Sequence, residues 1–366
     1  MSDINKFIID PENLDSYLSN FKNHEESIKT NIFDEKSWNE KRVLITGISG
    51  FVGSHLTEKL LEVGANVSGL VRRHAVPEYP NISHIPNKIN LIEGNFNDMS
   101  SLINAIETSE PDVIFHLGAQ SFVPTSFRCP IETIEVNTLG TANLLEAVRK
   151  SKNNVKRIQL AMTSEEYGFV KPDEVPISEQ NPLRPMSPYA SSKVAAEYIA
   201  RTYYKAYGVP IIITRAFNHT GPRRGLQFVA SVIARQITKC LINNTNEITL
   251  GYAQAIRDFT DVRDIVQGYI LAVEKAKLST PYNFGHGFGI TIENLAKLTG
   301  KVNNIDIKIN TDKSRFRPSE VEILICDYSK AKNELGYKPR IPLTKTMLDL
   351  VNYFKNNPQL LNLERH

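Results

Sequence analysis

The stretch SPYASSK at 187–193 sets Tyr189 four residues before Lys193. On a helix such a pair shares one face. A lysine ammonium beside a phenol lowers the phenol's pKa until it can act as a base near neutral pH. Upstream, LAMTSEEYG at 160–168 runs from apolar residues straight into Thr163, Ser164, Glu165 and Glu166. That pattern fits a buried strand whose end aims a hydroxyl and a carboxylate, Thr163 and Glu165, at a substrate; Glu166 is expected to be solvated. Earlier still, TGISGFVGSHL places Gly47, Gly50 and Gly53 between an apolar run and a helical one. Glycines are needed there because the chain turns tightly, a pyrophosphate lies against backbone N–H groups and the helix packs close to the strand. In that setting the spacing marks a dinucleotide site. The next apolar run, SGLVRRH, ends on Arg72 and Arg73, with no acid to hold a ribose 2′-hydroxyl. Two guanidinium groups suit a 2′-phosphate, so the expected cofactor is NADP.

These groups need a scaffold, and the chain supplies a regular one. Apolar runs at 42–47, 66–71, 89–95, 112–119, 157–164 and 210–218 alternate with helical stretches at 54–64 and near 98–108, 133–151 and 189–207. The runs are unbroken rather than alternating in and out, as in a parallel sheet covered on both faces. The expected fold is α/β, a doubly wound Rossmann sheet spanning 41–222. After 222 the rhythm breaks. A smaller C-terminal substrate-binding lobe is expected from 223–256 and 288–360, with a segment near 257–287 returning to the main sheet. In the N-terminal extension, 1–40, Leu14, Tyr17, Leu18 and Phe21 follow DPEN at helical spacing and predict an amphipathic helix.

Composition narrows the class. The 366 residues are 41% hydrophobic and 23% charged, with 43 basic against 40 acidic side chains and no long run of one sign. This argues against a nucleic-acid surface. Cys129, Cys240 and Cys326 are too few and too scattered for a disulfide framework or a zinc site, so no metal is expected. The start lacks the apolar core of a signal peptide, and no stretch is long and apolar enough to span a bilayer. The expected location is the cytoplasm.

Taken together, TGxxGxxG, HLGAQS, TSE-x-YG, YxxxK and RAFNHTGPRR resemble the extended short-chain dehydrogenase/reductase family that acts on nucleotide sugars, over roughly 41–345. Within it, GLVRR, HLGAQSFVPTSF, Thr163-Ser164-Glu165, PRRG at 222–225 and FRPSEVEILICDYSKAKNELGYKP at 316–339 are similar to the GDP-mannose 4,6-dehydratases. The resemblance implies that Tyr189 takes the proton of the sugar's C4 hydroxyl while hydride leaves C4 for NADP. Thr163 would hydrogen-bond that oxygen, and Lys193 would bind the nicotinamide ribose. Glu165 would remove the C5 proton that the new ketone acidifies. Water then leaves C6 and the hydride returns there, giving a 4-keto-6-deoxy sugar with no net redox change, which is the chemistry of a lyase.

Other positions follow from the same resemblance. Gly47, Ile48, Ser49, Gly50, Phe51, Val52, Gly53, Arg72 and Arg73 would hold the dinucleotide, with Asn95 and Phe96 flanking the adenine. Leu117, Gly118, Ala119, Gln120, Ser121, Tyr189, Lys193, His219 and Arg224 would complete that site. Ser126, Glu165, Asn218, Val229, Arg257, Arg317 and Glu320 would meet a GDP-mannose-like nucleotide-diphosphate sugar, the arginines at its diphosphate. The helices near 133–151 and 189–207 match the family's dimer surface and so imply a homodimer, although core packing against the sheet explains apolar Leu144, Leu145, Val148, Ala195, Ile199 and Tyr203 equally well; tetramer formation stays open. RAFNHTGP and FVASVIARQI (228–237) also resemble the sister 4-keto-6-deoxy-sugar reductases, and a C4 epimerase uses the same scaffold. Both alternatives stay open at this stage.

Overall fold

Along β1 (Arg42–Thr46), Val43 and Ile45 enter one apolar core while Leu44 enters another on the opposite face. That two-sided burial is why the strands read as unbroken apolar runs. The computed structural model describes residues 4–9, 30–74, 78–316 and 321–363. After β1 come α1 (Phe51–Glu62), β2 (Asn66–Val71), β3 (Ile89–Glu93), α2 (Met99–Ser109) and β4 (Val113–His116). There follow α3 (Val123–Arg128), α4 (Pro130–Ile134), α5 (Gly140–Lys150), β5 (Arg157–Thr163), α6 (Pro188–Tyr207) and β6 (Ile211–Ala216). The remaining chain forms β7 (Asn218–Thr220), α7 (Val229–Asn243), β8 (Glu247–Leu250), β9 (Ile256–Asp261), α8 (Val262–Lys275), β10 (Pro281–Phe284), β11 (Gly289–Thr291) and α9 (Ile292–Val302). It ends with β12 (Lys308–Thr311), β13 (Ile323–Leu324), α10 (Ser329–Leu335) and α11 (Leu343–Asn356).

Seven parallel strands form the main sheet in the order β10-β6-β5-β4-β1-β2-β3. Strand order reverses between β1 and β4, and ligands of doubly wound sheets bind beyond the strand C-termini at such a switch. The register brings Thr46 beside His116, and Thr163 beside Ala216, at that edge. A second layer has its own core, where Ile233 and Ile237 of α7, Leu295 and Leu298 of α9 and Met347, Leu350 and Phe354 of α11 are buried. Each such side chain contributes about 1.5–3 kcal/mol of burial.

The structure bears on three expectations. The helix foreseen near 133–151 is present and runs continuously from Pro130 to Lys150, as α4, a π-helical turn, Glu135–Leu139, and α5. Of the segment expected to rejoin the main sheet, α8 packs on α1 and β10 pairs with β6, whereas β9 pairs with β7, β11 and β13 in a smaller sheet. Leu144, Leu145 and Val148 lie in the core, the packing against the sheet that their pattern equally allowed. The helix expected from Leu14 to Phe21 falls outside the described residues. Its flanks pack on the body: Ile9 N–H donates to Gly289 O at 2.8 Å, and Trp38 is fully buried with Nε1 2.6 Å from Glu274 Oε1. Among the described residues, no helix is long and apolar enough to cross a membrane.

Candidate active site

The turn between β1 and α1 opens a cleft of about 700 Å³ at the switch point. Gly47 has φ +73°, and a Cβ there would lie 2.9 Å from Gly118 Cα; a Cβ on Gly53 would lie 2.2 Å from Gly47 O. Only glycine lets the backbone pass so close at both points. The α1 N-terminus faces this cleft through Ser49, Gly50, Phe51 and Val52, a setting suited to a pyrophosphate. Ile48 points away and is fully buried in the core. Arg72, Asn95 and Phe96 line the cleft, as do residues 117–121; Arg73 is not on its wall.

Two polar chains hold the 117–121 loop. Thr46 Oγ1 lies 2.8 Å from His116 Nδ1 and accepts Gly118 N–H at 3.1 Å. Nε2 of the same histidine lies 3.0 Å from Thr141 Oγ1, which itself donates to Asn137 O at 2.6 Å. Burial pulls His116 down to about 3 and keeps it neutral, so Nε2–H donates and Nδ1 accepts. The second chain runs through Asn137 on the π turn. Its Oδ1 accepts Gln120 N–H at 2.8 Å, and its Nδ2 donates to Gln120 O at 2.9 Å and to Ser192 Oγ at 3.0 Å. Sequence reading missed Asn137, because a π turn leaves no mark in apolar periodicity.

Ser187 caps α6 by accepting Ala190 N–H at 3.1 Å, which starts the helix one residue before Tyr189. Tyr189 and Lys193 are both buried in the cleft wall, facing the end of β5. Burial pushes the Tyr189 phenol well up, while a hydrogen bond with Thr163 pulls it back. Burial also lowers Lys193 to about 8, against the charges of Glu166 and Glu197. Thr163 Oγ1 accepts Glu165 N–H at 3.2 Å and closes a 3₁₀ turn, Ser164–Glu166. Glu165 is half-buried and lines both this cleft and a second cavity of about 330 Å³. Glu166 is fully buried, contrary to expectation: it folds back to accept Thr163 N–H and packs beside Arg215.

Asn218, His219 and Arg224 also stand where the two cavities meet. Burial pulls His219 down to about 4. Its Nδ1 lies 2.9 Å from Phe217 O, and the ring stacks on Phe51 at 6.0 Å. The Arg224 guanidinium is sandwiched 3.5 Å from the Phe228 ring centre and 5.0 Å from that of Phe51. Burial lowers it to about 10, leaving a charged cation at the junction. Val229 and Arg257 line the second cavity, and Arg257 Nη2 donates to Val321 O at 2.6 Å. Ser126 is fully buried and its hydroxyl donates to Val123 O at 2.7 Å, so it does not face either cavity. Arg317 and Glu320 lie outside the described residues. Phe122, Phe228, Tyr269 and Arg315 are wall residues that motif reading did not single out.

A glycine turn at the switch point, a Tyr–Lys pair on α6 and a second cavity reached through Glu165 define a nicotinamide-dinucleotide enzyme of the extended short-chain dehydrogenase/reductase class. The structure of RMD from Pseudomonas aeruginosa complexed with NADPH is 27% identical, with TM-score 0.74, over 87% of this chain and all of that one. A dTDP-glucose 4,6-dehydratase from Streptomyces venezuelae with NAD bound is 25% identical, with TM-score 0.77, over 87% of this chain and 98% of that one. The family model described as GDP-mannose 4,6 dehydratase matches residues 44–350. GDP-mannose 4,6-dehydratase of Yersinia enterocolitica is 34% identical over 350 residues, covering 85% of this chain and 93% of that one. The chain therefore belongs to the GDP-mannose 4,6-dehydratase family, whose function it shares as a lyase.

Proposed function

We propose that this enzyme uses NADP as its resident cofactor and that Thr163, Glu165, Tyr189 and Lys193 carry the dehydration of GDP-mannose. The residues present fit the dinucleotide. The glycine turn and the α1 N-terminus offer backbone N–H groups to the pyrophosphate, and Arg72 stands at the end of β2 where a 2′-phosphate would need a cation. Held there, NADP would supply the hydride acceptor and donor that internal redox between C4 and C6 of the sugar requires. The chain's own groups then have separable tasks. Tyr189, as the phenolate that the Lys193 ammonium stabilises, accepts the C4 hydroxyl proton and becomes the phenol, while Thr163 orients that oxygen. Glu165 removes the C5 proton once a C4 ketone has acidified it, and water is lost from C6. Arg224, Asn218 and Arg257 suit the diphosphate sugar, and their walls support the second cavity as its seat.

One observation carries the reading: Glu165 lines both cavities, beside the Thr163–Tyr189 pair. A plain oxidoreductase has no need of a carboxylate between its cofactor and its sugar. A homodimer built on exposed Ile131, Leu139 and Tyr198, at 66%, 51% and 58% exposure, and a cytoplasmic location complete the proposal. The test is GDP-mannose in heavy water with catalytic NADP, followed by NMR and mass spectrometry. The wild type should lose one water and gain deuterium at C5 without net NADPH. Glu165→Gln should do neither, while still binding the cofactor. Full activity in that variant would remove Glu165 from the mechanism.

A further inference from the structure

The catalytic turn ends on a carboxyl for which the reaction has no use. Glu166 is fully buried directly after Glu165. Its Oε1 accepts Thr163 N–H at 3.1 Å, so it fixes the backbone of the residue that hydrogen-bonds Tyr189. Its Oε2 is buried, its carboxyl hydrogen-bonds that of Glu197, and the nearest cation, Arg215 Nε, is 3.5 Å away. Arg215 is already committed elsewhere. Its Nε and Nη2 donate to Glu197 at 2.9 and 2.6 Å, and its Nη1 donates to the Tyr167 hydroxyl at 3.0 Å. Glu197, on α6 one turn beyond Lys193, also takes Arg201 at 2.6 Å. Two carboxyls thus share the buried Arg215 guanidinium, and a second buried negative charge there is costly.

We propose that Glu166 is a positioning residue for catalysis, holding Thr163 in place and, with Glu197 and Arg215, setting the charge felt by Lys193 and Tyr189. The inference rests on the catalytic reading of Thr163, Tyr189 and Lys193 given above. The titratable groups that act on Glu166 are Lys193 and Glu197 from α6 and Arg215 from β6, and Tyr189 of α6 feels its charge in turn. Burial first, then the charge of Glu197, raises the Glu166 carboxyl well above the usual carboxylate range. Protonated, it leaves the site without a surplus anion. Ionised at higher pH, its charge helps Lys193 keep its proton, since an anion nearby favours the ammonium.

The sign of the test follows. Glu166→Gln keeps an acceptor for Thr163 N–H and removes the charge that appears on ionisation. Lys193 should then lose its proton earlier, and the alkaline limb of the kcat–pH profile should move down by about one pH unit with KM for GDP-mannose unchanged. Glu166→Leu removes both features. It should show the same displaced limb and, with Thr163 released, a kcat lower by about tenfold at every pH. A merely structural glutamate would change stability and leave the limb in place, so superimposable profiles would overturn the proposal. A neutral carboxyl of this shape is replaceable by glutamine. Failure of both variants to fold would mean that the site demands a fixed charge, which also overturns it. Tyr189→Phe and Lys193→Met are measured alongside. If either keeps full activity, the catalytic reading fails; if both lose it while the limb stays put, only the role of Glu166 fails.

Discussion

At the end of β2, Arg72 is the side chain proposed to read the cofactor. It is exposed on the cleft wall, with its carbonyl 3.3 Å from the Tyr79 hydroxyl, while Arg73 lies off that wall. Arg72 is therefore the guanidinium proposed to meet a 2′-phosphate. A hydrogen bond to a charged group contributes about 1.5–3 kcal/mol. Arg72→Ala should accordingly weaken NADP by that amount while leaving NAD nearly unchanged, and Arg73→Ala should affect neither. Fluorescence titration of both variants with both dinucleotides reads this directly, and an equal loss for NADP and NAD would show that Arg72 does not read the phosphate. The same residue-by-residue logic separates the neighbours Glu165 and Glu166. Both follow Thr163 in sequence, yet one lines two cavities and the other is sealed behind the turn.

Between residue and molecule, the π turn Glu135–Leu139 is the element that joins the 117–121 loop to α6. Its wider winding sets Asn137 where it can grip Gln120 twice and Ser192 once, and Thr138 Oγ1 adds a bond to Ser192 O at 2.9 Å. Asn137→Ala would strand the buried Gln120 N–H. The expected cost is about 1–3 kcal/mol of stability, with weaker cofactor binding and a lower kcat, measured by denaturant unfolding and by kinetics at saturating GDP-mannose. Stability loss with unaltered kinetics would mean that the turn does not position the site. This element also marks where sequence reading stops. The sheet was legible because strands buried on both faces must be apolar throughout, and the glycine turn, Thr163, Tyr189 and Lys193 were legible because their chemistry fixes their spacing. The π turn was not, since one extra residue in a helix leaves its apolar pattern almost unchanged. Glu166 resembled a surface carboxylate because its partners, Glu197 and Arg215, come 31 and 49 positions later in the chain. The pairing of β9 depended on the short strands β11 and β13, too brief to signal a sheet.

At the scale of the whole molecule, α8 is the joint. One side of it packs Ile265, Val266 and Tyr269 into the core of the main sheet. From the other, Asp264 accepts the backbone N–H groups of Arg340 and Ile341 at 2.9 and 2.8 Å, just before α11 enters the second core. The N-terminal segment is tied to the same place: Ile32 N–H donates to Gln267 Oε1 at 2.9 Å, and Arg340 reaches Thr30 O. Burial, reinforced by the charge of Asp261, raises Asp264 from its usual 3.8 to about 7. Between about pH 4 and 7 the folded protein therefore keeps a proton that the unfolded chain has released, so stability from this group falls as pH rises through that window and is flat above it. Asp264→Asn keeps an acceptor for the two N–H groups and cannot ionise. Its Tm should match the wild type's near pH 4 and exceed it by about 2–4 °C at pH 8. Calorimetry across that range decides the matter: a gap that does not change with pH would mean that Asp264 stays ionised in the fold. Because the loop it holds separates the two cores, the same scans should show both layers melting in one transition at pH 5 and drawing apart first at alkaline pH.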